Sequence, residues 1–163
     1  MKVIGIVGWK NSGKTFFCQK IIKKLTEKGL VVSSIKRAHH DFNIDIPTSD
    51  SFLHREAGSK QVIISSSKRW AKITELNNEE EMQLIELLKE IKEADIVIVE
   101  GFKNSNHPKI EVIKEFSKNY LYENIENVIA TISNMKLDTK IPQFKKEEID
   151  LIVNFILEYN DKS

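Results

Sequence analysis

Residues Gly8-Trp9-Lys10-Asn11-Ser12-Gly13-Lys14-Thr15 match the pattern G-x-x-x-x-G-K-[ST] in full, and their setting narrows the fold at once. Before them lies Lys2–Val7 (KVIGIV), short, apolar and β-branched, as a fully buried strand requires. After them, Phe17, Cys18, Ile21, Ile22 and Leu25 recur at helical spacing between Thr15 and Lys28, with Gly29 placed to close the helix. A strand, a glycine-bounded loop and a helix in this order form a phosphate cradle. Gly8 and Gly13 supply backbone angles and a close approach that a Cβ obstructs. The N–H groups of the loop converge at the positive end of the helix, where anions are stabilised. Lys14 is placed to contact the β and γ phosphates, and the Thr15 hydroxyl to ligate Mg²⁺.

The remaining pattern alternates. Leu30–Ile35, Asp95–Glu100 (DIVIVE), Lys109–Lys114 and Asn127–Ile132 read as strands. Gln61–Ser65 and Arg69–Leu76 read as two arms of a hairpin across Ser66–Lys68. Helices are expected at Ser51–Ala57, stopped by Gly58, and at Glu147–Tyr159 through Ile149, Ile152, Val153 and Ile156. A third is expected from an Asn77 cap with Glu80 three residues on, burying Leu84, Ile85, Leu88 and Ile91. Inner strands that are apolar throughout call for helices on both faces of the sheet. The expectation is an α/β three-layer sandwich of the P-loop NTPase type over residues 1–163 as a single domain, its sheet mostly parallel, with the hairpin making it mixed.

Composition excludes several classes. The 163 residues are 40% hydrophobic, enough for a sizeable core. A net charge of +1 argues against a general nucleic-acid or membrane binder. Beneath that total, residues 1–75 carry 14 basic and 6 acidic side chains, whereas residues 76–163 carry 11 and 18. The basic half points to a local anionic ligand, although Lys20, Lys23, Lys24 and Lys28 fall on an outer helix face. Cys18 is the only cysteine, so there is no disulfide framework and no multi-cysteine metal site. No signal peptide and no membrane-length apolar run is visible, and a cytoplasmic location is expected.

The strand Asp95–Glu100 has an acid at each end, about 16 Å apart by strand rise. Ligands of parallel sheets bind at the carboxyl ends of the strands, the end where Gly8 lies. Glu100 is therefore the candidate acid facing the Mg²⁺ shell, and Asp95 belongs to the preceding connection. The polar stretch Lys36–Asp50 leaves a strand on the same side. His39, His40 and His54 cluster in sequence with Asp41, Asp45, Asp50, Arg55 and Glu56. Three readings stand for this segment: a metal site, an anion or partner surface using Lys36, Arg37 and Arg55, and a solvated loop. Asp45 is a further candidate for the Mg²⁺ shell.

At these residues the chain resembles the molybdopterin-guanine dinucleotide biosynthesis adaptor, protein B, family. The stretches that carry the likeness are GWKNSGKT (8–15), KRAHHDFNIDIPTSDSFLHREAG (36–58), VEGFK (99–103) and KIEV (109–112), in order and suitably spaced. The central segment is far more specific than the phosphate loop. The resemblance implies a GTP-binding protein of the signal-recognition and Min-related class, usually a homodimer, that hydrolyses GTP slowly. Its implied partner is the nucleotidyltransferase that attaches GMP to molybdopterin, with molybdopterin itself a further candidate ligand.

Carried over by position, Lys14 and Thr15 bind phosphate and Mg²⁺, and Asp45 and Glu100 complete the metal environment. Lys36, His39, His40, His54, Arg55 and Lys103 flank the site as an anion or partner surface. Two departures are Arg37, where the family commonly has His, and Thr48-Ser49, where it has Gly-Lys. The guanine-reading pattern Asn-Lys-x-Asp is not met by Asn134-Met135-Lys136-Leu137-Asp138, which leaves Asn134 as the candidate base contact. A small-molecule P-loop kinase or ligase and a metallochaperone GTPase are the other readings. The first needs arginines for phosphoryl transfer and finds Arg37, Arg55 and Arg69, while the second needs the histidines as ligands.

Overall fold

The computed structural model describes residues 1–38, 41–77 and 79–160. They form two compact units, one of residues 1–37 with 84–163 and the other of residues 38–83.

The first unit is built on a six-stranded sheet. Its strands are β1 (Lys2–Val7), β2 (Val32–Lys36), β5 (Ile96–Glu100), β6 (Lys109–Val112), β7 (Val128–Ile132) and β8 (Gln143–Phe144). They lie in the order β2-β5-β1-β6-β7-β8, and every pairing is parallel. The period-2 alternation of strands sorts side chains onto two faces. Ile4, Ile6, Ile98, Ile110, Val112, Ala130 and Ile132 pack on one face with Phe17, Ile21 and Leu25 of α1 (Lys14–Glu27) and Ile152, Val153 and Ile156 of α4 (Ile149–Glu158). On the opposite face Val97 and Val99 pack with Leu84 of α3 (Leu84–Lys89) and with Phe102. These are the three layers of an α/β sandwich.

The register fixes where chemistry can occur. Ile6 pairs with Glu100, Lys36 pairs with the same Glu100, and Val7 pairs with Glu111. The carboxyl ends of β1, β2 and β5 therefore meet at one edge of the sheet.

The second unit contains α2 (Asp50–Glu56) and the antiparallel hairpin of β3 (Gln61–Ser65) and β4 (Trp70–Thr74), in register from Gln61↔Thr74 to Ser65↔Trp70. The expected hairpin thus forms, but as its own two-stranded sheet, and the pairing that would have made the large sheet mixed is not made. The burial pattern gives the reason. Val62 is the only hydrophobic residue of this unit below a tenth exposed among the described residues, while Ile63, Ile64 and Trp70 are exposed, so the hairpin lacks the two apolar faces an inner strand needs.

Two further expectations are corrected. The helix expected from Asn77 starts at Leu84, and Asn77 takes φ 53, whereas an N-cap residue is extended. Leu84 is buried and Leu88 and Ile91 are partly buried against the sheet, but Ile85 is 63% exposed. Helical conformation follows the residues that find a packing surface, and the acidic run before Leu84 offers little to pack. The inner strand β6 is also not apolar throughout, since Lys109 and Glu111 are each about 1% exposed. Lys109 Nζ donates to the carbonyls of His107 (2.8 Å) and Glu126 (3.0 Å), and Glu111 accepts from the N–H groups of Leu121 (2.8 Å) and Tyr122 (2.9 Å). Buried charges are tolerated when hydrogen bonds replace their water. Burial pushes the Glu111 carboxyl up and the Lys109 ammonium down from their ordinary values.

Candidate functional site: a phosphate cradle at the carboxyl edge of the sheet

The loop between β1 and α1 has the curvature its sequence requires. Gly8 (φ 150) passes so close to β6 that a Cβ there would collide with the Val112 carbonyl and come within 2.6 Å of Ser12 Oγ. Asn11 (φ 62) and Gly13 (φ 101) take left-handed conformations, the kind of turn with which successive N–H groups are gathered toward one side. Gly13 is also the N-cap of α1, with no side chain supplying a capping bond, so the helix end keeps its N–H groups for another acceptor. Ser12 is 6% exposed, and its hydroxyl has no hydrogen-bond partner.

Lys14 folds over this loop. Its Nζ donates to the carbonyls of Gly8 (3.0 Å) and Trp9 (2.9 Å). Burial lowers its pKa, and the nearby Glu100 carboxylate opposes that shift. Thr15 Oγ1 donates to Glu100 Oε1 at 2.8 Å, and Lys36 Nζ lies 3.7 Å from the same oxygen. Thr15, Lys36 and Glu100 are thus brought together from α1, β2 and β5. Asp95, at the other end of β5, accepts from the Val31 N–H at 2.8 Å. Cys18, one turn after Lys14, is buried, and desolvation pushes its thiol up to about 12, which keeps it protonated and unreactive.

The other expected residues have their own surroundings. Asp45 lies in the second unit, where Arg55 holds both its oxygens (2.9 and 2.7 Å) and also pairs with Glu75. The Arg55 hydrogen bonds keep the Asp45 carboxyl below the usual carboxylate range. His54 is exposed on α2, and His39 and His40 lie outside the described residues. No three His, Cys, Asp or Glu side chains converge on a metal position among the described residues. Asn134 is exposed, and its Oδ1 accepts from the Lys146 N–H at 2.9 Å. Lys10 is exposed on the loop.

Lys103 and Trp9, both expected near the site, meet in a contact that the sequence did not reveal. Lys103 Nζ sits 4.6 Å from the centroid of the Trp9 ring, and the Trp9 indole N–H donates to the Asn119 carbonyl at 2.9 Å. Behind Lys103, residues 103–106 with Lys109, Ile125 and Glu126 line a cavity of about 240 Å³. The signal for the cavity was the charge of Lys109 inside a run that otherwise reads as core.

The donor set fits a polyphosphate with a hard cation. The cradle is one a Cβ would fill, a buried hydroxyl in it lacks a partner, and a hydroxyl and a carboxylate oxygen stand side by side, the ligand types Mg²⁺ prefers.

Comparison with known proteins identifies the family and the fold. The family model described as MobB, "Molybdopterin guanine dinucleotide synthesis protein B", matches residues 3–134. A protein of Escherichia coli K12 named "Molybdopterin-guanine dinucleotide biosynthesis adapter protein" is 30% identical over 98% of this chain and 94% of its own length. Its namesake in Haemophilus influenzae is 34% identical over 94% of this chain and 86% of its own. Among solved structures, one titled "Crystal Structure of molybdopterin-guanine biosynthesis protein B (mobB)" superposes with a TM-score of 0.76 at 28% identity, covering 95% of this chain and 97% of the other. The Bacillus subtilis MobB structure, at 23% identity and a TM-score of 0.77 over all of both chains, shares the fold. Matched by the family model over residues 3–134 and by relatives of 30% and 34% identity over nearly its whole length, this chain belongs to the molybdopterin guanine dinucleotide synthesis protein B family.

Proposed function

We propose that this protein is a GTP-binding adaptor in molybdopterin guanine dinucleotide synthesis, acting in the cytoplasm as a homodimer on the nucleotidyltransferase that attaches GMP to molybdopterin. The observation that carries the reading is the Thr15–Glu100 hydrogen bond under the phosphate loop, found in a chain of this family. The loop backbone and Lys14 would hold the phosphates, while Thr15 and Glu100 would hold Mg²⁺ directly or through water. Bound Mg²⁺ would neutralise phosphate charge; the chain's own part is to hold, orient and partly desolvate. Lys14 leaves neutral carbonyls for an anion, a favourable exchange for a partly buried ammonium. The loop of residues 8–15 contains neither glutamine nor arginine, and hydrolysis slower than about 1 s⁻¹ is the expected rate for an adaptor.

The test is affinity capture from cell extract with the tagged full chain, in three arms holding GTP with Mg²⁺, GDP with Mg²⁺, or no nucleotide. Recovery of the molybdenum-cofactor nucleotidyltransferase, strongest in the GTP arm, is expected. Its absence from all three arms contradicts the adaptor role.

A further inference from the structure

Residues 100–103 leave β5 through a turn in which each consecutive residue is tied to a different part of the phosphate site's surroundings. The Glu100 carboxylate receives Thr15, and its carbonyl accepts from the Arg37 N–H at 3.0 Å. Gly101 (φ 95) donates its N–H to the Ile6 carbonyl at 3.3 Å, and a Cβ on it would press to 3.1 Å of Arg37 Cβ. Phe102 also takes a left-handed conformation (φ 52), unusual for a bulky residue. Its burial against Val97, Val99 and Leu84, with the Arg37 guanidinium 5.6 Å from its ring, holds it there. Two consecutive left-handed residues turn the chain so that Lys103, itself exposed, reaches back over Trp9.

Trp9 therefore holds two ammonium groups. Its carbonyl accepts from Lys14 and its ring face carries Lys103. A cation over an exposed aromatic ring gains only about 0.5–1 kcal/mol, whereas hydrogen bonds between charged partners gain roughly 1.5–3 kcal/mol. An ammonium parked on the second residue of a phosphate loop will leave the ring for a phosphate oxygen within its reach. A long, exposed side chain on a rigid turn pivots cheaply.

From this we infer that Lys103 distinguishes nucleoside triphosphate from diphosphate: it rests on Trp9 and transfers to the terminal phosphate when one is present. The inference rests on the nucleotide reading above and adds the residue that reads the γ-phosphate. Glu100 and Lys103 then couple metal and terminal phosphate to one turn, which continues into the 103–106 wall of the cavity behind it.

Trp9 supplies the readout. The chain has two tryptophans, and Trp70→Phe leaves Trp9 as the sole tryptophan, excited at the red edge where the three tyrosines do not absorb. In that background, fluorescence titrations use GDP and the non-hydrolysable analogue guanosine imidotriphosphate, both with Mg²⁺. The Trp9 spectrum is expected to shift with the analogue and much less with GDP. Lys103→Met is expected to abolish the difference and lower the analogue-to-GDP affinity ratio about tenfold, with GDP affinity held within about twofold. Lys103→Arg, which keeps the charge, is expected to restore the ratio. An unchanged ratio in Lys103→Met, or equal spectral responses to the two nucleotides in the Trp70→Phe protein, overturns the inference while leaving nucleotide binding intact. Failure of the unaltered chain to bind either nucleotide removes the nucleotide reading and this inference with it.

Discussion

Thr15 and Glu100 are separated by 85 residues of chain and by 2.8 Å of space, and the strand-end position of Glu100 is what joins them. Its counterpart Asp95, five residues earlier, is spent on the Val31 N–H. Two carboxylates flanking one strand thus meet different partners, one at its carboxyl end and one just before its first residue. His107 is a different kind of case. It is 6% exposed, both ring nitrogens lack partners, and its ring fills the space that a side chain at Gly5 would occupy. Desolvation, with help from Lys109, lowers its pKa from 6.5 to about 4. The unfolded chain therefore binds the proton more tightly, so this residue imposes no penalty above pH 6.5 and an increasing one as pH falls toward 4. The loss by pH 4 is about 3 kcal/mol from this group alone. Urea denaturation from pH 7 to pH 4 is expected to show a shallower decline for His107→Leu than for the unaltered chain. Parallel declines would show that His107 does not titrate this way.

At the scale of elements, apolar periodicity is legible in the sequence, whereas very short elements, packing limits and hydrogen bonds between distant residues are not. β1, α1, β5, β7 and α4 all form within a few residues of their expected limits because apolar periodicity marks them directly. β8 has two residues and no periodicity to show. The start of α3 was placed at a cap pattern, and packing moved it to Leu84. In β6 the strand itself was expected, but the burial of Lys109 and Glu111 depends on backbone partners at residues 107, 121, 122 and 126, which no local pattern reveals. The candidate site divides along the same line. The cradle and Glu100 follow from motif and topology, whereas the Trp9–Lys103 contact depends on the two left-handed residues that turn Lys103 back. Glu111 also carries a cost that can be measured. Glu111→Leu keeps an apolar strand but leaves the Leu121 and Tyr122 N–H groups without their acceptor, each worth about 1–3 kcal/mol when buried. A loss of roughly 3 kcal/mol in chemical denaturation is expected, and a change within about 0.5 kcal/mol would show that water or another group takes over.

Across the whole molecule, the uneven charge of the two halves resolves into a few specific residues and a larger solvated remainder. Among the basic residues of the first half, Lys14 lies on the phosphate loop and Lys36 beside Glu100, while Lys24 pairs with Asp150 on the outer surface. The first unit carries the sheet, both apolar clusters and every described member of the phosphate cradle. The second unit is different in kind: Arg55 ties Asp45 to Glu75, and Phe42, Ile44, Ile46, Leu53 and Trp70 are all more than half exposed. The proposed nucleotide site draws on the first unit. The measurement that tests it most directly is calorimetric titration of GTP into the unaltered chain, Lys14→Ala and Glu100→Gln, each with and without Mg²⁺. Saturable binding strengthened by Mg²⁺ is expected for the unaltered chain. Lys14→Ala is expected to lose it by about a hundredfold or more, and Glu100→Gln to lose only the Mg²⁺-dependent part, roughly tenfold. Equal GTP affinity in the unaltered chain and Lys14→Ala, with both folded, would contradict the assignment of residues 8–15 as a nucleotide site.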